Sequence, residues 1–186
     1  MVDSPGSIAG VVDSVNRRFV RFFDMLETKS NNGIYLMFLS LTLIIIIPIL
    51  IAYEFEEDST RYEHKDLDIF RDRAETILEG DLLYRDTEHV TLSPPLINYL
   101  FVPAVLLGNT ALVWTCWFAT FIFISSVVLY HILLGVFDKR YAIAGAVFFI
   151  TSPFSNYTTI MMMQDDAIIV SFLLLALLFI VRKSWY

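Results

Sequence analysis

Apolar positions along this chain gather into four long runs separated by polar segments. The first, Gly33 to Tyr53, has about the ~20 residues that a bilayer core requires, and it contains Pro48, which membrane helices tolerate. The second runs from Ala111 to Val136 and is closed by Phe137-Asp138-Lys139-Arg140. Tyr141 to Phe154 is a third, shorter run ending at Ser152-Pro153, and Ala167 to Val181 is a fourth, closed by Arg182-Lys183. The pattern predicts an all-α integral membrane protein with about four transmembrane helices, at 33–53, 111–136, 141–154 and 167–181. A fifth apolar segment, Leu96 to Leu107, is only about half a span long. It lies between Pro94-Pro95 and Gly108-Asn109 and reads as a juxtamembrane or re-entrant helix. Treating it as a span would reverse everything downstream and put Lys139 and Arg140 outside.

Ahead of the first run, Ser4-Pro5 is a helix start. Ile8, Val11, Val12, Val15, Phe19, Phe22, Phe23 and Leu26 then recur at helical spacing. Asp13, Asn16, Arg17, Arg21 and Asp24 fall mostly on the other side, so residues 1–32 form an amphipathic helix suited to lying on a membrane surface. The alternative is a helix that packs on a partner or on another part of the chain. The basic residues set the orientation: Arg17, Arg18, Arg21, Lys139, Arg140, Arg182 and Lys183 mark cytoplasmic ends. This places the chain in the cell membrane as a multi-pass protein with both termini cytoplasmic. Residues 33–186 then make up the membrane domain, and the 54–110 loop shares the outer face with 155–166.

Composition agrees with this reading and narrows it. The chain is 56% hydrophobic with a mean hydropathy of +0.63, too apolar for an ordinary soluble domain. The net charge of −7 sits in the polar loop, since Glu54 to Pro95 holds 13 of the 20 acidic residues and five of the 13 basic ones. That balance argues against nucleic acid as a partner. The single cysteine, Cys116, lies in an apolar run, which excludes a disulfide framework or a Cys-based metal site. No cleavable signal peptide is expected, because the first long run starts too far in and is too long.

The loop has helical periodicity of its own. Over Asp66 to Glu79, Leu67, Phe70, Ala74, Ile77 and Leu78 make an apolar stripe, Asp68, Asp72, Glu75 and Glu79 make a polar stripe facing water, and Gly80 is the stop. Asp66 lies off the polar stripe. It reads either as an N-cap or as a carboxylate held where membrane meets water, with proton affinity raised by partial burial. The second acidic site is Gln164-Asp165-Asp166, just before the last span. Carboxylates at a span boundary are costly unless hydrated, paired or metal-bound. Neighbours on a helix diverge, so one of the two aspartates faces any shared cavity. Two acidic sites on one outer cavity would supply a general base and a ligand for a divalent cation; N-capping accounts for the same residues without chemistry. His64 and His89 are too far apart in sequence for a metal motif, and His131 reads as a structural hydrogen-bonder. Met161 to Met163 read as packing, and the sequon Asn156-Tyr157-Thr158 lies too near the membrane to carry weight.

The run from Asp66 through Phe70, Asp72, Ala74, Leu78 and Gly80 to Leu83-Tyr84-Arg85 and Pro94-Pro95-Leu96 resembles the first outer loop of GT-C glycosyltransferases. Those are multi-span enzymes that use polyprenyl-phosphate-linked sugars. Leu83 stands where many of them have Pro. The helix after Pro95, the basic turn at Lys139-Arg140 and the pair Asp165-Asp166 fall where that family would place them, so the resemblance covers nearly everything after Gly33. It implies a GT-C-like N-terminal module and inverting transfer of a sugar from a polyprenyl-phosphate donor to an acceptor hydroxyl on the outer face. By the same resemblance Asp66 is the base, or Asp68 if the register slips by two, and Asp165 or Asp166 is the second-loop acid that helps hold a divalent metal ion. Arg61, Lys65, Arg71, Arg73 and Arg85 are candidates for the leaving phosphate, with Arg71 and Arg85 put forward. Family members have more spans, so the chain is expected to be a front portion, a subunit that needs a second membrane chain, or a relative without activity. Beside membrane lipid and the lipid-linked sugar, the rival reading is a non-catalytic membrane subunit whose acidic loop docks a partner protein. A transporter fits less well, because the span interiors are almost uncharged.

Overall fold

The computed structural model describes residues 8–55, 65–85 and 94–182, and every regular element in it is helical, with no strand among the described residues. The amphipathic segment forms α1 (Ile8–Glu27), and the first apolar run forms α2 (Asn31–Phe55), which carries Pro48 inside it. The loop helix is α3 (Lys65–Glu79). Two short helices, α4 (Pro95–Tyr99) and α5 (Val102–Leu106), replace the continuous 96–107 helix. They are followed by α6 (Ala111–Leu134), α7 (Lys139–Thr151), α8 (Pro153–Asn156), a π-helix (Tyr157–Met161) and α9 (Asp166–Arg182).

The stops follow from local chemistry. Gly80 takes φ +84, and Asp81 N–H donates to Thr76 O, so α3 ends as the glycine dictates. Thr110 caps α6, its hydroxyl accepting from Val113 N–H at 3.3 Å. Helix α7 stops three residues short of the expected Phe154. Pro153 disfavours helical geometry at the residue before it, and Ser152 sits at φ −59, ψ 119.

Helix α6 is the axis of the bundle, with α2, α7 and α9 packed on it. Half of its span is buried in the protein, against 22% for α2, which therefore lies at the margin. Helix α2 runs antiparallel to α6: Tyr35 Oη and His131 Nε2 lie 2.6 Å apart, and Tyr130 Oη donates to Asn31 Oδ1 at 3.1 Å. Helix α9 runs parallel to α6, because Ser171 Oγ lies 2.7 Å from Ser125 Oγ and donates to Phe121 O while Val181 packs at Gly135. One end of the bundle thus collects α1, the α6–α7 turn and Arg182. The other collects α3, α4, α5 and the segment from Ser152 to Asp166. The first end carries Arg17, Arg18, Arg21, Lys139, Arg140 and Arg182, and the second carries most of the described carboxylates together with Arg71, Arg73 and Arg85.

Two helices, over Asn31–Ile51 and Ala111–Leu134, are long and apolar enough to cross a membrane. The elements found for the third and fourth expected spans are shorter. At 1.5 Å per residue, α7 and α9 extend about 20 and 25 Å, less than the ~30 Å of a hydrocarbon core. The outward faces are apolar all the same: Leu36, Leu43, Ile44, Ile47 and Ile51 on α2 and Phe172, Leu173, Leu177 and Phe179 on α9 are exposed. Apolar faces of this extent are exceptional on a protein surrounded by water and ordinary on one surrounded by lipid.

Candidate functional site

The site begins with how α3 is held. Phe70 stacks on Phe101 at 4.3 Å and meets Phe118 edge-on at 6.2 Å, while Leu67 and Ala74 are buried beside it. Leu78, expected on that stripe, is exposed, because it lies in the last turn where the chain leaves the bundle. A polar knot fixes the other side. Asn109, itself at φ +53, accepts at Oδ1 from Arg71 Nε (3.0 Å) and Trp114 Nε1 (2.9 Å) and donates to Glu75 Oε1 (3.1 Å). Aromatic packing and this knot together set the rotation of α3, and Asp66, one turn ahead of Phe70, is thereby turned toward the chain just before α9.

That chain is irregular. After the π-helix, buried Met163 adopts φ +49, and Gln164 N–H donates back to Thr158 O at 3.2 Å. A non-glycine residue in the left-handed region costs on the order of 1 kcal/mol or more, and such outliers and π-turns cluster at functional sites. The turn brings Gln164 Nε2 to 3.4 Å from Asp66 Oδ2, where it donates a hydrogen bond. Asp165 follows, its backbone carbonyl accepting from Ile168 and Ile169 at the start of α9. Burial pushes the Asp165 carboxyl above the ordinary carboxylate value; the neighbouring Asp166 and Asp66 charges push the same way, and its own backbone N–H and Arg73 oppose them.

Arg73 completes the arrangement from α3. It is 6% exposed and donates from Nη1 to Oδ1 of the fully buried Asn98 at 3.2 Å. Burial lowers its pKa, opposed by the fields of Asp165, Asp72, Tyr84 and Asp66; a guanidinium stays charged even so. Asp66, Arg73, Asn98, Gln164 and Asp165 therefore meet at one end of the bundle. Beside them, an apolar groove of about 290 Å³ runs between α4 and α9, lined by Pro94, Leu96, Ile97, Leu100, Ile168, Ile169, Phe172 and Leu173.

The other expected residues lie elsewhere. Asp68 is exposed and pairs with Arg71 at 3.5 Å, one turn along the helix. Arg71 is engaged in the Asn109 knot, and Arg85 is exposed in the turn after α3. Asp166 is exposed and opens on a separate cavity of about 320 Å³ with Ser155, Thr158 and Thr159, so the two adjacent aspartates diverge. Among the described residues no three His, Cys, Asp or Glu side chains form a group able to hold a metal. Asn156 of the sequon donates from Nδ2 to Ile150 O and Ser152 O, closing the end of α7. Arg61, His64, His89 and the Lys65 side chain lie outside the described residues.

Sequence reasoning gave Asn98 no role and named Gln164 without assigning it one. The available signal for Asn98 was a lone amide in an otherwise apolar half-span. Comparison with protein-family models, with curated proteins and with solved structures gives no match.

Proposed function

We propose that the protein is a membrane glycosyltransferase module of the GT-C type, which transfers a sugar from a polyprenyl-phosphate donor to an acceptor hydroxyl on the outer face. The observation that carries this reading is the meeting of Asp66 with the Gln164-Asp165 turn, 98 residues on in the chain, next to a buried guanidinium. Asp66 takes the proton of the acceptor hydroxyl. The oxygen attacks the anomeric carbon from the face opposite the donor phosphate, and the C–O bond to phosphate breaks with its electron pair going to polyprenyl phosphate. Arg73 supplies fixed positive charge for the developing phosphate charge, which is strongest where water is excluded. Asp165 orients the site through Gln164 and the N-terminus of α9, and the groove between α4 and α9 takes the apolar tail of the donor. No step here passes through a divalent ion.

The reading includes four spans, with α7 and α9 crossing beside α2 and α6, in the cell membrane with both termini cytoplasmic. The exposed acidic face of α3, formed by Asp68, Glu75 and Glu79, favours a second reading in which the loop docks a partner protein and catalyses nothing. Turnover of a polyprenyl-phosphate sugar by wild type and Asp66→Asn, assayed with any partner chain present, separates the two.

A further inference from the structure

The apolar stripe of α1 is longer than the protein's cover for it. Phe23 and Leu26, in its last turns, are buried against α2 and α7, but Val11, Val12, Val15 and Phe22 on the same stripe stay exposed. Arg18 lies one helical turn from both Val15 and Phe22 and Arg21 one turn further on, so two exposed cations flank the uncovered stretch. The C-terminal end of the helix is pinned: Lys139 Nζ donates to Glu27 O and Lys29 O, and Arg140 Nη1 donates to Asp24 Oδ1 at 3.3 Å. These bonds hold the last turn of α1 level with the α6–α7 turn, just beyond Leu134, where the α6 span ends. The uncovered stretch adjoins this pinned turn, at the end of the bundle where the α6 span stops.

We infer that α1 docks on an anionic lipid surface at the basic end of the bundle, with Val12 and Val15 at the acyl boundary and Arg18 and Arg21 on headgroup phosphates. Anionic lipid is the occupant that matches both halves of the face. An apolar strip alone would suit any hydrophobic partner, but the flanking arginines, with Arg17, Lys29 and Arg182 at the same end, select a surface of negative phosphates. Asp24, one turn from Arg21, pairs with Arg140 at 3.3 Å. The inference needs the membrane reading of the chain but not glycosyl transfer.

The test uses the full chain in vesicles, with Cys116, the only cysteine, changed to alanine. A polarity-sensitive fluorophore is placed at Val15→Cys and, as a control on the opposite face, at Asp13→Cys. In vesicles containing phosphatidylserine, the Val15 label is expected to shift to the blue and to be quenched by a quencher carried on the lipid chains, while the Asp13 label does neither. An arginine near an anionic surface biases docking by about fivefold, so Arg18→Gln with Arg21→Gln is expected to cut the docked fraction's equilibrium by about 25-fold, as is replacing phosphatidylserine with phosphatidylcholine in part. A Val15 label as wet as the Asp13 label overturns the inference. So does a blue-shifted label that lipid-borne quencher cannot reach, which would mean that protein covers it. Quenching that is equal in neutral vesicles and indifferent to both arginines overturns the anionic assignment.

Discussion

Gln164 donates a hydrogen bond to Asp66 across 3.4 Å, joining the loop helix α3 to the strained turn before α9. Neither partner gets there by local propensity. Asp66 is aimed by the stacking of Phe70 on Phe101, and Gln164 by the left-handed backbone at Met163. The contact closes a polar cluster around Arg73 at the end of an otherwise apolar bundle, and the predictions below test the parts of that cluster one at a time.

Asp165 gives a pH signature. Its raised pKa means that the folded protein binds this proton more tightly than the unfolded chain. Its contribution to stability is therefore full at acid pH and is lost as pH rises from the ordinary carboxylate value through the raised one. Asp165→Asn abolishes that slope while remaining an adequate residue at the start of α9. Melting curves in detergent should coincide for the two proteins at acid pH and separate as pH rises, with the variant the more stable at neutral pH. Parallel curves across the range would show that burial of this carboxyl costs nothing.

Asn109 should matter more than its position in a turn suggests. Asn109→Gly keeps the positive φ but leaves the indole N–H of Trp114 and the guanidinium of Arg71 without their shared acceptor. Unsatisfied part-buried donors cost about 1–3 kcal/mol, and the loss should show as a lower unfolding midpoint with faster hydrogen exchange in α3. An effect within about 0.5 kcal/mol, the range of ordinary surface substitutions, would remove the knot from the account of how α3 is held.

The span count has its own test. With Cys116 replaced, single cysteines at Glu79 and Tyr157 should react with an impermeant reagent from the same side, and one at Asp138 only from the other. All three positions are exposed on the protein. Labelling of Tyr157 from the Asp138 side would mean that α7 does not cross.

Much of this architecture is legible in the chain itself. Periodicity and punctuation place α1, α3 and the four apolar helices to within a few residues, and Gly80 and Pro153 end their helices for the expected reasons. The site was only partly legible. Asp66 and Asp165 were named, but their meeting depends on the rotation of α3, and that rotation is set by Phe101 and Asn109, tertiary partners at distances of 35 and 43 residues from Asp66 that no local pattern ties to it. For the same reason Arg71 and Arg73, both candidates for the leaving phosphate and two residues apart, meet different partners: helical geometry turns one toward Asn109 and the other into the cluster. The end of α7 was placed three residues too late, since the apolar run continues through Pro153 where the helix does not, while α9 extends one residue beyond the expected span at each end.

The central claim is that Asp66 acts as a general base, and Asp66→Asn tests it most directly. The substitution removes the proton acceptor while keeping the shape, the capping ability and an oxygen for Gln164. General-base catalysis is worth about 10²–10⁴-fold. Turnover of a polyprenyl-phosphate sugar, measured with any partner chain present, should fall by that order with the melting temperature unchanged, and Asp68→Asn should be silent. Full activity in Asp66→Asn would contradict the account and leave the partner-docking reading in its place.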